Sequence, residues 1–351
     1  MDYQILINNL TNPSLLFFVL GVLAVRFKSD LEIPGTSAKF IALYLMLSIG
    51  FKGGQELSHS EFNTSIIWAL VFGVVLSALI PFYTFFILKR RLSTENSGAI
   101  AAAYGSVSAV TFVTAVSFLE IQNITFNGHM VAVMAIMEVP AIIVGVVLMM
   151  RYETKTDQSS SLKGIIKHAL TNGSVLMLVG SLFIGFVSDG KQAIDIQHFT
   201  TDIFKGFLAI FLLDMGITSG KKLKSFFSSG WFPIVFAFFI PLINGVVFSI
   251  LSGFFTSDIS NRFMFGILAA SASYIAVPAA MKISVPQANP GLYLPMALAI
   301  TFPINITCSI EQFICTSYYS SYIITSKSAD RWKVTTGIKV IHHDPAGICR
   351  T

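Results

Sequence analysis

The stretch Ala101-Ala-Ala-Tyr-Gly-Ser-Val-Ser-Ala-Val-Thr-Phe-Val-Thr-Ala-Val-Ser-Phe118 places glycine and hydroxyl residues inside a long apolar segment. In lipid, a hydroxyl or backbone group without a hydrogen bond costs several kcal/mol. Small hydroxyl residues there indicate either close helix packing or a lined polar site. A second stretch of the same character, Ala269-Ala-Ser-Ala-Ser-Tyr-Ile-Ala-Val-Pro278, lies in the other half of the chain. The central question is whether these two stretches face each other in the fold and line one polar site.

The composition indicates a membrane protein. The chain has 351 residues, of which 54% are hydrophobic and 12% are charged, and its mean hydropathy is +0.73. Soluble domains usually carry about 25% charged residues. A large soluble helical protein would show polar faces at the helical period, and runs such as residues 66–86 and 130–150 show none. The sequence therefore predicts an all-α polytopic membrane protein.

The positive charge does not indicate a nucleic-acid partner. The formal net charge is +5, but the basic residues lie mainly at the ends of apolar runs, as the positive-inside rule describes. The sequence contains no Walker motif, no GxSxG and no HExxH, so we expect no catalytic residues, no bound metal and no cofactor. The sequence offers no support for an enzyme.

About ten membrane spans can be placed along the chain. Their predicted limits are residues 13–25, 36–51, 64–88, 97–118, 129–151, 172–188, 202–217, 231–255, 262–281 and 291–323. The first, second, sixth and seventh are shorter than the roughly 20 residues that a span needs. Short segments at corresponding positions of two halves are typical of transporters built from repeats.

Charges in the loops predict the orientation. Basic loops follow the first, third, fifth and seventh spans and contain, among others, Arg26, Lys89, Arg151 and Lys221. With about ten spans these loops share one side, which the positive-inside rule makes cytoplasmic, and both termini face outward. On the outer side we expect Glu120 to be solvated and Lys52 to extend to the surface.

An internal repeat relates the two halves. Three matches follow one another at a nearly constant offset: Gly50 with Gly216 at 166, residues 105–108 with residues 270–273 at 165, and Pro140 with Pro303 at 163. Each half holds about five spans, and an odd number of spans inverts the second copy in the membrane. The predicted divisions are a first repeat (1–151), a cytoplasmic linker (152–171), a second, inverted repeat (172–325) and a disordered tail (326–351).

Inversion would bring the fourth and ninth spans together from opposite sides of the membrane. Gly105, Tyr274 and Pro278 mark the expected helix breaks, since proline removes a backbone donor. A break near the midplane directs the N-terminus of a half-helix at the centre, which suits a small anion. Exposed carbonyl and hydroxyl oxygens at the same break suit Na⁺.

The candidate substrate-binding residues are Gly105, Ser106, Ser108, Ser271 and Ser273. The alternative is that these small residues only let helices approach each other. A carboxylate within a span costs about 2.5–3.5 kcal/mol to insert and is therefore a functional candidate. Glu138 is the main candidate for cation coupling, the alternative being a structural hydrogen bond to a neighbouring span. Asn305 could reach the site or bond to a neighbouring helix.

The segments that carry these residues resemble the sodium-dependent bicarbonate transporter family, whose best-known members are cyanobacterial. The resemblance extends from residue 13 to residue 307. It rests on residues 47–57 with their Gly-Phe-Lys-Gly-Gly core, 104–111, 137–141, 213–220, 269–278, and 285–293 with their Pro-x-Ala-Asn-Pro.

This resemblance implies two inverted repeats of about five spans each, with broken fourth and ninth helices. It implies import of bicarbonate or a similar small anion by alternating access, driven by Na⁺, across a bacterial plasma membrane. The residues that would bind Na⁺ are Ser108, Thr111, Glu138 and Ser273, and Glu138 stands where the cyanobacterial members have Asp. The family also implies a homo-oligomer, such as a trimer, and a PII-like cytoplasmic regulator.

Three positions after the ninth-span serines differ from the cyanobacterial pattern. Tyr274 stands where those members have Asp, and Ala276 and Val277 stand where they have Ser and Gly. Two alternatives therefore stay open beside the Na⁺-coupled bicarbonate importer. One is a carrier of another organic anion, coupled to Na⁺ or to protons. The other is a membrane sensor or binding protein that does not transport.

Overall fold

The computed structural model describes residues 13–59, 63–152, 173–227, 230–274, 277–278, 280–281, 285–310 and 312–318. The predicted linker, apart from Tyr152, and the predicted tail lie outside these ranges, as does Ala276. Wherever the structure describes the chain, its regular secondary structure is helical and contains no strand. The prediction of an all-α protein is confirmed for this part of the chain.

The helices of the described residues, in chain order, are α1 (Pro13–Arg26), α2 (Gly35–Ser58), α3 (Thr64–Leu88), α4 (Thr94–Gly105), α5 (Ala109–Ile121), α6 (His129–Tyr152), α7 (Gly173–Val187), α8 (Gly190–Asp195), α9 (Phe204–Phe227), α10 (Trp231–Ser252), α11 (Ile259–Ala270) and α12 (Pro290–Pro295). A π-helical turn, His198–Asp202, precedes α9. Helical conformation continues from α12 through Met296–Thr301, Phe302–Ile304 and Asn305–Ser309, and we include these residues in α12.

Within the described residues, six segments are long and apolar enough to cross a membrane. They are Thr64–Leu88, Thr94–Ile121, His129–Tyr152, His198–Lys221, Trp231–Ser252 and Pro290–Thr307. Three shorter apolar helices are Leu16–Arg26, Leu176–Val187 and Ile259–Ala270. The segment Thr94–Ile121 joins α4 and α5, so this candidate span contains a break.

The prediction that the seventh span is short is wrong, because His198–Lys221 is long and apolar enough to cross a membrane. α2 extends beyond the predicted second span and contains 24 residues, although it is not among the six segments above. In α2 the helix continues past the apolar run because polar side chains there have partners on another helix. The Gln55 amide donates hydrogen bonds to the carbonyl oxygens of Gly185, near the end of α7, and, at 3.0 Å, of Ser188.

Glycine contacts join α1 to α9 and α2 to α7, and we call these helices the paired group. A Cβ added at Gly21 of α1 would lie 2.3 Å from the carbonyl oxygen of Leu213 in α9. A Cβ added at Gly185 of α7 would lie 2.2 Å from the carbonyl oxygen of Phe51 in α2. Such close backbone contact favours helix association in lipid through van der Waals packing. Each pair joins one helix from each half of the chain.

The remaining long helices, α3 to α6 and α10 to α12, form a second set, which we call the central group. Every residue of α4 from Ser97 to Gly105 is buried. Small residues make this burial possible, because a Cβ at Gly145 of α6 would lie 2.7 Å from the Ala102 side chain. Packing therefore holds α4 inside the central group, with its C-terminal end at the break before α5.

Candidate functional site

The first break lies between α4 and α5 and is built by serines. α4 ends at Gly105, and residues 106–108 are not helical. Ser108 is the N-cap of α5, with extended backbone angles (φ −101°, ψ 107°), and its Oγ accepts a hydrogen bond of 3.2 Å from the Thr111 N–H. Ser is favoured at this position because its side chain satisfies an N–H group that the first helical turn leaves unpaired. The local sequence thus ends one helix and starts the next.

The second break follows α11 and repeats this design. α11 ends at Ala270, and residues 271–273 are not helical. Ser271 has φ −82° and ψ 162°, close to the φ −84° and ψ 179° of Ser106. The Ser273 Oγ accepts a hydrogen bond of 3.3 Å from the Val277 N–H, as Ser108 does from Thr111. The two breaks therefore share the backbone angles of their first serine and a second serine that accepts a hydrogen bond from a following N–H group.

The two breaks bind each other. The Ser273 N–H donates to the Ala103 carbonyl oxygen at 2.8 Å. In the other direction, the Ser108 N–H donates to the Ser271 Oγ at 3.0 Å, and Ser271 donates in turn to the Leu268 carbonyl oxygen at 2.9 Å. Ala103 and Leu268 are related by the repeat offset of 165. The hydrogen bond from Ser273 to the opposite half-helix is therefore direct, whereas the one from Ser108 is relayed by the Ser271 hydroxyl.

All of the predicted serines lie at this crossing and are buried. Ser106 and Ser271 are 0% and 1% exposed, and Ser108, Ser273 and Thr111 are 4%, 3% and 1% exposed. Because the side chains meet in the interior of the protein, a small ion or molecule bound there would be shielded from solvent, and electrostatic interactions would be stronger than in water.

Gly105 lies beside the crossing and packs on α3. A Cβ at this position would lie 2.1 Å from the Pro81 side chain. The close approach of α4 to Pro81 therefore requires glycine at position 105. This packing role is separate from the role of Gly105 as a candidate substrate-binding residue. Pro278 itself lies in helical conformation, and Tyr274 is the last described non-helical residue before it.

Glu138 lies on α6, the helix that packs along α4. Gly98 of α4 contacts Met149, and Ala102 contacts Gly145, so α4 and α6 run antiparallel. Glu138 lies on the same face of α6 about two turns before Gly145, so this register puts it about one turn beyond the residues that face the C-terminal end of α4. It is 9% exposed, and its carboxylate makes no hydrogen bond or ion pair with the part of the chain that the structure describes. The structural hydrogen bond considered for this carboxylate is therefore not present there.

Two residues of α12 support the crossing. The Asn305 amide donates to the carbonyl oxygen of Ala270, the last residue of α11, at 2.8 Å. The Thr301 hydroxyl lies 2.7 Å from the Tyr104 hydroxyl and donates to the Ala237 carbonyl oxygen at 2.8 Å. The sequence left two roles open for Asn305, a place at the site or a bond to a neighbouring helix. It did not indicate Thr301, because a threonine in an apolar helix commonly bonds within its own turn.

An ion pair connects the two helix groups near the end of α5. The Lys52 Nζ lies 3.0 Å from Glu120, and the Lys205 Nζ lies 3.8 Å from the same carboxylate. Lys52 is on α2 and Lys205 is on α9, both in the paired group, whereas Glu120 is on α5. Lys52 and Glu120 reach the surface, as expected, with side chains that are 39% and 33% exposed. The sequence did not predict that the fold would pair these charges from distant parts of the chain.

Comparison with known proteins identifies the family of the chain. A family model for the Na⁺-dependent bicarbonate transporter superfamily matches residues 13–317. No curated protein matches the chain. Since the match covers most of the sequence and contains both breaks, the chain belongs to the Na⁺-dependent bicarbonate transporter superfamily and is a multi-pass membrane transporter, not an enzyme.

Proposed function

We propose that this protein imports bicarbonate or a similar small anion together with Na⁺, by alternating access. The observation that carries the proposal is the reciprocal hydrogen bonding of the two breaks, Ser273 N–H to Ala103 and Ser108 N–H to Ser271. The corresponding positions of the two halves meet in this exchange. That supports an architecture of about ten spans in two inverted repeats with the substrate between them.

The proposed substrate site consists of Gly105, Ser106, Ser108, Ser271 and Ser273. Its attraction for an anion comes from the N-terminus of α5, which contains 13 residues. The first turn of a helix leaves N–H groups without intrahelical partners, and the helix dipole adds positive potential at that end. Hydroxyl protons of the serines supply further donors, so a small anion would be held by neutral groups.

The proposed Na⁺ site consists of Ser108, Thr111, Glu138 and Ser273. A hard cation prefers oxygen ligands, and these side chains offer hydroxyl and carboxylate oxygens. Glu138 supports the assignment because a buried carboxylate is costly unless a cation or a proton neutralises it. Na⁺ bound beside Ser108 would also offset part of the charge of the anion, which is a physical basis for coupled transport.

The remaining expectations belong to this proposal as well. They are a bacterial plasma membrane, termini on the outer side, a homo-oligomer such as a trimer, and a PII-like cytoplasmic regulator. A reporter fused to either terminus tests the orientation directly: it should be accessible to an impermeant reagent in intact cells.

The test of the function is uptake of labelled bicarbonate by cells that express the chain. Uptake should rise when external Na⁺ is supplied and should fall when Na⁺ is replaced by choline. Ser108→Ala and Ser273→Ala should each reduce uptake at unchanged expression, and Ser77→Ala is a matched control because its hydroxyl bonds within α3. Absence of any Na⁺ effect, with the protein present in the membrane, contradicts the proposal.

A proton-coupled carrier of an organic anion is the second candidate, and the isolated carboxylate of Glu138 favours it. A proton neutralises such a group as well as Na⁺ does. A panel of anions measured under separate Na⁺ and pH gradients distinguishes the two. Uptake that follows an inward proton gradient in the absence of Na⁺ supports this second candidate.

A further inference from the structure

Two buried hydroxyls at the crossing, those of Ser106 and Tyr274, make no hydrogen bond among the described residues. The Oδ1 of Asn305, whose amide nitrogen bonds to Ala270, also has no partner there. Ser106 is 0% exposed and Tyr274 is 8% exposed, and each lies in a non-helical segment after a half-helix. Buried polar groups are nearly always hydrogen-bonded, and leaving one unpaired is costly. One such hydroxyl in each of the two crossing segments indicates that a ligand completes them.

Neighbouring side chains fix the position of Tyr274. Its ring packs edge-on against Phe302 of α12, with centroids 6.0 Å apart and planes at 71°. Phe302 packs in turn against Phe18 of α1 at 5.6 Å. The Tyr274 hydroxyl interacts with the side chain of Ser108, the N-cap of α5, although without the geometry of an ordinary hydrogen bond. The phenol is therefore held beside the N-terminal end of α5.

The hydroxyl protons around this point are available to an acceptor. The oxygens of Ser108 and Ser273 accept hydrogen bonds from backbone N–H groups, and their own protons have no acceptor among the described residues. Ser271 differs, because its proton is used by Leu268. A hydroxyl can donate once and accept as well. The crossing thus presents hydroxyl donors, and none of the residues that supply them is an acid. These residues are Ser106, Ser108, Ser273 and Tyr274.

We propose that Tyr274 is a substrate-binding residue whose hydroxyl donates a hydrogen bond to an oxygen of the transported anion, and that it favours planar oxyanions of the carbonate and carboxylate type. This inference rests on the proposed function and deepens it. A planar oxyanion presents acceptor oxygens in more than one direction, so one oxygen can face Tyr274 while another faces Ser106 and the N-terminus of α5. A spherical halide lacks such separate acceptors.

The test compares labelled bicarbonate uptake by the wild-type chain and by Tyr274→Phe, which keeps the ring against Phe302 and removes only the hydroxyl. Loss of one hydrogen bond to an anion should raise KM about tenfold, with the maximal rate per protein unchanged. Formate should compete with bicarbonate in the wild-type chain more strongly than chloride does, and this preference should shrink in the variant. Tyr83→Phe is the matched control, since its hydroxyl bonds to Asn244 between α3 and α10, and its KM should be unchanged.

A second replacement keeps the test decisive if Tyr274→Phe folds poorly. 3-Fluorotyrosine at position 274 makes the phenol a stronger donor, so the affinity for bicarbonate should rise, whereas a purely structural ring would leave it unchanged. An unchanged KM in Tyr274→Phe, beside wild-type uptake, overturns the assignment of Tyr274 alone. A wild-type chain that reaches the membrane but neither binds nor takes up bicarbonate overturns the proposed function and this assignment with it.

Discussion

The two helix breaks resemble each other in their serines and differ in the residue that follows them. Ser106 and Ser271 share nearly equal backbone angles, and Ser108 and Ser273 each accept a hydrogen bond from the segment that follows. The next residue is Ala109 in the first break and Tyr274 in the second, at the repeat offset of 165. Ala109 begins α5, whereas Tyr274 is not helical, so the two breaks differ here in backbone conformation as well as in side chain.

The hydrogen bonds between the breaks differ in the same way. The bond from Ser273 to Ala103 is direct, whereas the bond from Ser108 reaches Leu268 only through the Ser271 hydroxyl. The hydrogen bonds that join the breaks therefore leave room for different side-chain contacts at each of them.

The largest expected effect concerns the acid beside the first break. Glu138 has Thr301 as its counterpart at the offset of 163, and Thr301 is hydrogen-bonded to its neighbours. Glu138→Gln should raise the Na⁺ concentration for half-maximal uptake about 100-fold, because losing a charged ligand costs up to about 3 kcal/mol and each 1.4 kcal/mol is tenfold. Initial rates of bicarbonate uptake over a series of Na⁺ concentrations measure this change.

The control for this variant is Asp214→Asn. Asp214 is also a carboxylate at 9% exposure in a membrane-span helix. It belongs to α9 of the paired group, and its charged neighbours are Lys221 and Glu32. Its removal should leave the Na⁺ dependence unchanged. An equal rise in the half-maximal Na⁺ concentration in both variants would mean that the effect is not specific to Glu138. It would contradict the assignment of Glu138 to the Na⁺ site.

A smaller effect separates Ser271, which relays a hydrogen bond, from Ser106, which occupies the matching position in the first break. Ser271→Ala leaves the Ser108 N–H without its acceptor, so the free energy of unfolding should fall by about 1–3 kcal/mol. Ser106→Ala occupies the matching position but removes a hydroxyl that has no hydrogen bond among the described residues. It should leave stability unchanged or slightly higher while it still weakens uptake. Thermal unfolding of the purified variants in detergent measures the difference, and equal losses in both would contradict the one-sided relay.

The smallest expected effect lies at the ion pair between the helix groups. Lys52 and Glu120 are 39% and 33% exposed, and exposed pairs contribute about 0–1 kcal/mol. Glu120→Gln should therefore lower thermal stability only slightly, and this loss should disappear at high ionic strength because salt screens exposed charges. Choline chloride should set the ionic strength, since Na⁺ is the proposed ligand of the central site. A loss that persists in high salt would contradict a screened surface pair.

Local sequence predicted the ends of the half-helices well. Gly105 is the last residue of α4, and Tyr274 lies in a non-helical segment, as expected. Pro278 itself is helical, and the described non-helical residues lie before it, at 271–274. The limits of α2 were also missed, because its polar C-terminal part depends on the bonds from Gln55 to α7.

The sequence by itself determined that the chain forms apolar membrane helices, and that serines at matching positions interrupt two of them. Those properties follow from composition and from the local preference of serine for helix caps. Only the tertiary structure decided that the breaks bind each other, that the helix of Glu138 packs antiparallel along α4, and that Tyr274 meets Ser108. These contacts join residues far apart in the chain, and helix packing sets their distances, which no local propensity contains.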